Sequence, residues 1–98
     1  MHIERRTVSR KTPRDGKLEI SSEAAARLAG LGTGLRAAWD GEHAAAAVVG
    51  MSCTCGGGET QHEHHFLEST VFRALPVGER VDLSLEDGTV RVALTHST

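Results

Sequence analysis

Residues 53 to 65, Cys-Thr-Cys-Gly-Gly-Gly-Glu-Thr-Gln-His-Glu-His-His, hold both cysteines of the chain and three of its six histidines. Thiolate and neutral imidazole are the usual protein ligands of zinc, and two of each make an ordinary tetrahedral set. Side chains alternate along extended backbone, so Cys53 and Cys55 lie on one side, as do His62 and His64. Gly56, Gly57 and Gly58 let the chain turn and bring the two pairs together. The candidate ligands are Cys53, Cys55, His62, His64 and His65, with His62 and His64 preferred because alternation sends His65 to the face of Leu67. Glu59 or Glu63 is placed to orient a histidine from behind. The spacing C-x-C-x6-H-x-H differs from the common C-x2-C and H-x3-H forms, which leaves two other readings open. One is a solvated Gly-rich loop with free thiols and histidines that titrate near neutral pH. The other is redox chemistry at C-x-C.

Catalytic motifs do not emerge. His62-Glu-His-His differs from the H-E-x-x-H helix of a zinc protease, and Gly56 to Gly58 lacks the lysine and following Ser or Thr of a phosphate-binding loop. Ser21, Ser22 and Ser69 read as helix caps, Asp87 as a turn residue, and Trp39 as part of the core. The reading leans away from an enzyme.

The elements that must carry this cluster are short. Val81, Leu83 and Leu85 alternate with polar residues, Asp87-Gly88 follows, and Val90, Val92 and Leu94 alternate again, which is a hairpin with a two-residue turn. Upstream, Lys17 to Ile20 reads as a strand, and Ser21 or Ser22 caps an alanine-rich helix through Ala29 that Gly30 ends. A further strand runs from Leu35 to Trp39 up to Asp40-Gly41. The stretch from Ala44 to Val49 returns as a strand or forms a short helix.

The two halves align with gaps: Ile20 with Leu67, Ser22 with Ser69, Leu28 with Leu75, Gly34 with Gly78, and Asp40-Gly41 with Asp87-Gly88. The expectation is a β-rich α/β (α+β) fold, a small barrel from two related β-α-β-β units. A basic arm spans 1–16, the first unit 17–49, a Cys/Gly/His linker 50–63 and the second unit 64–98, all in one compact domain. Neither unit covers its own apolar faces, so each needs the other.

Ninety-eight residues with only Trp39, Phe66 and Phe72 as large rings bury little area per residue, and a metal clip or an oligomeric interface would help such a core. No apolar run reaches the roughly 20 residues of a membrane span, and the start lacks a secretion signal, so a cytoplasmic setting is expected. In that reducing setting Cys53 and Cys55, too close for an unstrained disulfide, are thiols. The net charge of −2 is uneven. Arg5, Arg6, Arg10, Lys11, Arg14 and Lys17 face only Glu4 and Asp15 in the first seventeen residues, and the remainder is acidic. Such an arm can meet phosphates.

The segment Val8-Ser-Arg-Lys-Thr-Pro-Arg-Asp-Gly-Lys-Leu-Glu-Ile-Ser resembles the opening of the AbrB-type swapped-hairpin family of DNA-binding regulators and antitoxins. The likeness covers Val8 to Asp40 and, more faintly, the second half. It implies a barrel of two interlocked β-α-β-β units within one chain, and basic residues toward DNA at Arg10, Lys11 and Lys17; Arg14 of the same basic arm joins them as a candidate for nucleic-acid contact. The chain departs from the family pattern at Ser21, where the family has proline, and at Ala25 and Ala26, where its helix presents arginines. The expected function is a small noncatalytic zinc-binding regulatory or interaction module. The alternatives are an AbrB-like DNA-binding regulator or antitoxin using the basic arm, and a protein-interaction subunit of a larger assembly; a protein partner or a homodimer is compatible with each.

Overall fold

The alternation of Val81, Leu83 and Leu85 with Asp82 and Ser84 becomes a strand whose Val81 and Leu83 are fully buried. This computed structural model describes residues 1–54 and 61–95, the side chains of 51–54 and 61–63 excepted. In chain order the elements are β1 (His2–Thr7), α1 (Lys11–Asp15), β2 (Lys17–Ile20), α2 (Ser22–Ala29), β3 (Arg36–Trp39), β4 (Glu42–Ala45), β5 (Ala47–Thr54), β6 (Gln61–Glu68), β7 (Arg80–Glu86) and β8 (Thr89–Leu94). Short 3-10 turns lie at Gly32–Gly34 and Thr70–Ala74. The fold is β-rich α+β with two sheets, a five-stranded one in the order β1-β7-β8-β3-β4 and a three-stranded one in the order β2-β6-β5.

Strand, helix, strand, strand recurs in the two halves, with the 3-10 turn at Thr70–Ala74 standing where the first half has α2. The two Asp-Gly turns share a conformation. Asp40 and Asp87 both have φ of 50°, followed by Gly41 at 83° and Gly88 at 76°, the doubly left-handed turn that matches the twist of a hairpin. The antiparallel β2–β6 ladder runs from Lys17 opposite Glu68 to Ile20 opposite His65. It joins the first strand of one half to the first strand of the other.

Among the described residues the closed barrel expected from two such units is not formed. β3 pairs parallel to β8, and a ring would need β7 to pair likewise with β4. The free edge of β7 is instead taken by β1, antiparallel from His2 opposite Ser84 to Thr7 opposite Arg80. Residues 1–16, read as a basic arm, therefore form an edge strand and a one-turn helix. Val8 anchors the junction: it is buried, its amide donates to Glu79 O and its carbonyl accepts from the Gly78 amide.

α2 forms because Ser21 caps it, its hydroxyl accepting from the Ala24 amide at 3.1 Å, and because Ala24, Ala25 and Leu28 fall on one buried stripe. Glu4 of β1 accepts from both the amide and the hydroxyl of Ser21, which ties the edge strand to the start of the helix. α1 ends at Gly16, in the left-handed region at φ 70°. A Cβ there would stand 3.0 Å from the carbonyl oxygen of Ser69, so both backbone angle and space require glycine. The core lies between the sheets and α2, and its fully buried members include Phe72, Leu18, Leu28, Leu35, Leu67 and Leu83. Trp39 is half-buried against it. Among the described residues no helix is long and apolar enough to cross a membrane.

The alanine-rich return resolves into two strands. Glu42–Ala45 closes the Asp40-Gly41 hairpin on β3, and after Ala46, whose amide donates to Leu35 O at 3.0 Å, the chain crosses to the other sheet as β5. Much of the linker assigned to 50–63 is thus β structure, because β5 continues to Thr54 and β6 begins at Gln61.

Candidate metal centre

The β5–β6 ladder fixes where the cluster sits. Its register runs from Ala47 opposite Glu68, through Gly50 opposite His65 and Met51 opposite His64, to Cys53 opposite His62 and Thr54 opposite Gln61. Directly opposed residues of an antiparallel pair belong to the same face, and residues two apart along a strand share it. Positions 53, 62 and 64 therefore fall in one row on one face of the hairpin. Opposed Cα atoms in such ladders are about 4.5–5.5 Å apart, within the span of ligands around one zinc ion. Cys55 lies outside the described residues, as do the side chains of Cys53 and His62.

His64 is held. Its Nδ1 stands 3.0 Å from Glu19 Oε2 on β2, the strand on the other side of β6. A carboxylate only accepts, so Nδ1 carries the proton and donates, and in the neutral ring Nε2 keeps its lone pair. That is the arrangement of a metal-binding histidine whose far nitrogen is fixed by a carboxylate, which sets the tautomer and the orientation of the ring. The pair is about half exposed, at 40% for His64 and 46% for Glu19, so its own ion-pair contribution is small. Sequence reading looked to Glu59 and Glu63 for this role and missed Glu19. The available signal was the alternation in Lys17-Leu-Glu-Ile, which puts Glu19 opposite in sense to buried Leu18 and Ile20.

His65 stands apart. It lies opposite Ile20 and Gly50, on the face of Leu67, and is half-buried. Among the described residues no group of three or more His, Cys, Asp and Glu side chains is placed to hold a metal ion. The candidate set depends on Cys53, Cys55 and His62 joining His64.

The basic residues of the alternative reading are placed on and beside α1, and three of the four have partners within the protein. The Lys11 ammonium lies 5.8 Å from the centre of the Phe66 ring, which is buried on the face of β6 opposite to Leu67. Arg14 donates from Nε and a terminal nitrogen to the two oxygens of Asp15 at 3.2 and 3.1 Å. That hydrogen bonding holds the Asp15 carboxyl below the usual carboxylate range. Lys17 Nζ is 4.0 Å from Glu68. Arg10 is exposed and makes no ion pair among the described residues.

The serines divide. Ser21 caps α2 as expected, whereas Ser69, at the start of the 3-10 turn, makes no side-chain cap, and its buried hydroxyl has no partner among the described residues. The backbone does the work there: the Ser69 amide donates to Gly16 O at 2.9 Å and its carbonyl accepts from Phe72. Comparison with known proteins gives no match: no family model fits the chain, and no curated protein or solved structure matches it.

Proposed function

We propose that this chain is a small noncatalytic module that binds a metal ion, zinc first among them, on the β5–β6 hairpin. The observation that supports it is the Glu19–His64 hydrogen bond at 3.0 Å, which leaves Nε2 available in the row shared by positions 53 and 62. Cys53 and Cys55 as thiolates with His62 and His64 complete the preferred set, and His65, on the opposite face, is the reserve ligand. A closed set of four is structural: it fixes the junction between the halves and presents a rigid hairpin for regulation or interaction. The setting is the reducing cytoplasm, where both cysteines stay thiols.

Native mass spectrometry with elemental analysis of reduced protein, purified without a histidine tag, tests this directly. One zinc per chain, lost in Cys53→Ser and Cys55→Ser, is the expected result. Metal-free chains that take up no added zinc at micromolar concentration overturn it.

The second reading is an AbrB-like DNA-binding regulator whose single chain carries two swapped-hairpin units. The recurring strand-helix-strand-strand order and the matched Asp-Gly turns favour it, with exposed Arg10 at the start of α1 and Lys11 and Arg14 on it as the phosphate-facing side. In that reading β1 is an addition that replaces barrel closure. It predicts DNA binding that weakens steeply with salt and with Arg10→Ala and Lys11→Ala together. Unchanged DNA mobility at low salt defeats it.

A further inference from the structure

Among the described residues the two sheets present four outer strands, and the chain treats them unequally. An open edge offers unpaired backbone groups to any passing strand, and proteins usually guard it with charge, proline or brevity. β1 carries Glu4, Arg5 and Arg6; β4 carries Glu42; β2 carries Lys17 and Glu19. β2 and β4 are also only four residues long. β5, Ala-Val-Val-Gly-Met-Ser-Cys-Thr, is eight residues long, holds no charged residue and no proline, and pairs only with β6 among the described residues. The longest of the four edges is the unguarded one.

Beside the first half of this edge lies an apolar cleft of about 470 Å³, lined by Leu28 of α2, Leu35, and Ala46, Ala47 and Val48 at the start of β5. Leu31, at the end of the helix, is exposed nearby in sequence. Edge and cleft are continuous through Ala47 and Val48, so a strand added to β5 could also lodge apolar side chains beside α2.

We infer that the free edge of β5 pairs antiparallel with β5 of a second copy of this chain, joining two three-stranded sheets into one across a two-fold axis. Charge selects this occupant. A neutral strand is its own complement, since across the axis each residue i of one copy meets residue j of the other, and no pairing brings like charges together. A charged peptide finds no counter-charge along 47–54. The two-fold arrangement is also closed, because each copy's one unguarded edge is used and no further chain can add.

The test is sedimentation analysis of the full chain from about 1 μM to about 1 mM, the range in which a small interface assembles. Reductant and chelator are present throughout, so neither a disulfide nor a shared metal ion holds the copies, and failure of this proposal is separate from failure of the metal reading. A monomer–dimer equilibrium is expected. Val49→Lys, which puts charge on the edge, weakens it about tenfold or more, while Glu42→Lys on the β4 edge leaves it unchanged. Hydrogen exchange on the unaltered chain gives an independent reading. Amides within 47–54 become protected as concentration rises, and those of β1, β2 and β4 do not. A monomer throughout the range, or concentration-dependent protection on another edge, overturns the inference.

Discussion

The molecule contains two long hairpins that use the same ladder chemistry for different ends. β7 and β8 pair from Val81 opposite Leu94 to Glu86 opposite Thr89 and are flanked by β1 and β3, so both outer edges are covered. Val81, Leu83, Val90 and Val92 from this hairpin are buried. β5 and β6 pair over eight positions, and among the residues whose side chains are described they reach the core cluster through buried Leu67 and half-buried Val48. Beyond Gly50 the sequence gathers both cysteines, three histidines and three glycines within residues 53–65. One hairpin supplies apolar area from both strands and holds the fold. The other reaches the core through Val48 and Leu67, near the start of β5 and the end of β6, and its sequence places the Cys and His residues toward the opposite end.

Truncating the first hairpin should have the largest effect. Leu83→Ala removes a fully buried side chain and is expected to destabilise by about 2–5 kcal/mol, read by chemical denaturation. Cys53→Ser in metal-free protein should stay within about 0.5 kcal/mol of the parent if the far half of the second hairpin is uninvolved in packing. An equal loss from both changes would erase the distinction between the hairpins.

Glu19→Gln sharpens the chemical side of the comparison. It keeps the shape but weakens the acceptor for His64, and zinc affinity measured by competition with a chelator should fall about tenfold or more. Stability without metal should not move. If zinc binds equally well to this variant, His64 is not a ligand fixed by Glu19.

Glu4→Ala addresses why the first hairpin has a covered edge. Glu4 accepts from the amide and hydroxyl of Ser21, so its loss frees β1 from the start of α2, with an expected cost of about 1–2 kcal/mol. Hydrogen exchange should quicken in β1 and the first turn of α2 and leave β5 and β6 as they were.

The smallest effect is electrostatic. Asp82 on β7 accepts from Arg5 Nε at 3.1 Å and from His2 and Thr95. These hydrogen bonds, Arg5 first, hold its carboxyl below the ordinary value of 3.8. A carboxyl whose folded value is depressed stabilises the fold above its unfolded value, and the contribution disappears as pH falls through the folded one. Acid titration should therefore loosen β1 from β7 only below about pH 4, and Asp82→Asn should flatten that dependence.

These contrasts also mark what was legible in the sequence. The β7–β8 hairpin, the Ser21 cap of α2 and both Asp-Gly turns are local, fixed by alternation and by residues that tolerate a left-handed backbone, and they stand where the pattern put them. β1 was not legible. Its six residues include Glu4, Arg5 and Arg6, which read as part of a basic arm, and only a partner some eighty residues away makes them a strand. The same applies to Glu19, whose relation to His64 depends on the β2–β6 register. The Cys/His stretch was recognisable by composition, but that positions 53, 62 and 64 share a face required the ladder.

The pairing of strands across the halves also governs when the fold can form. β1 waits for β7, β2 for β6 and β3 for β8, so a chain emerging from synthesis and stopped at residue 54 has only the β3–β4 ladder available to it. Pairings of such long sequence separation close slowly, because loop entropy must be lost before the contacts form. The β5–β6 hairpin is the exception: it joins the halves across a short connection and can close as soon as residue 68 is made. A metal ion at its tip would then act on the rate at which the two halves find each other.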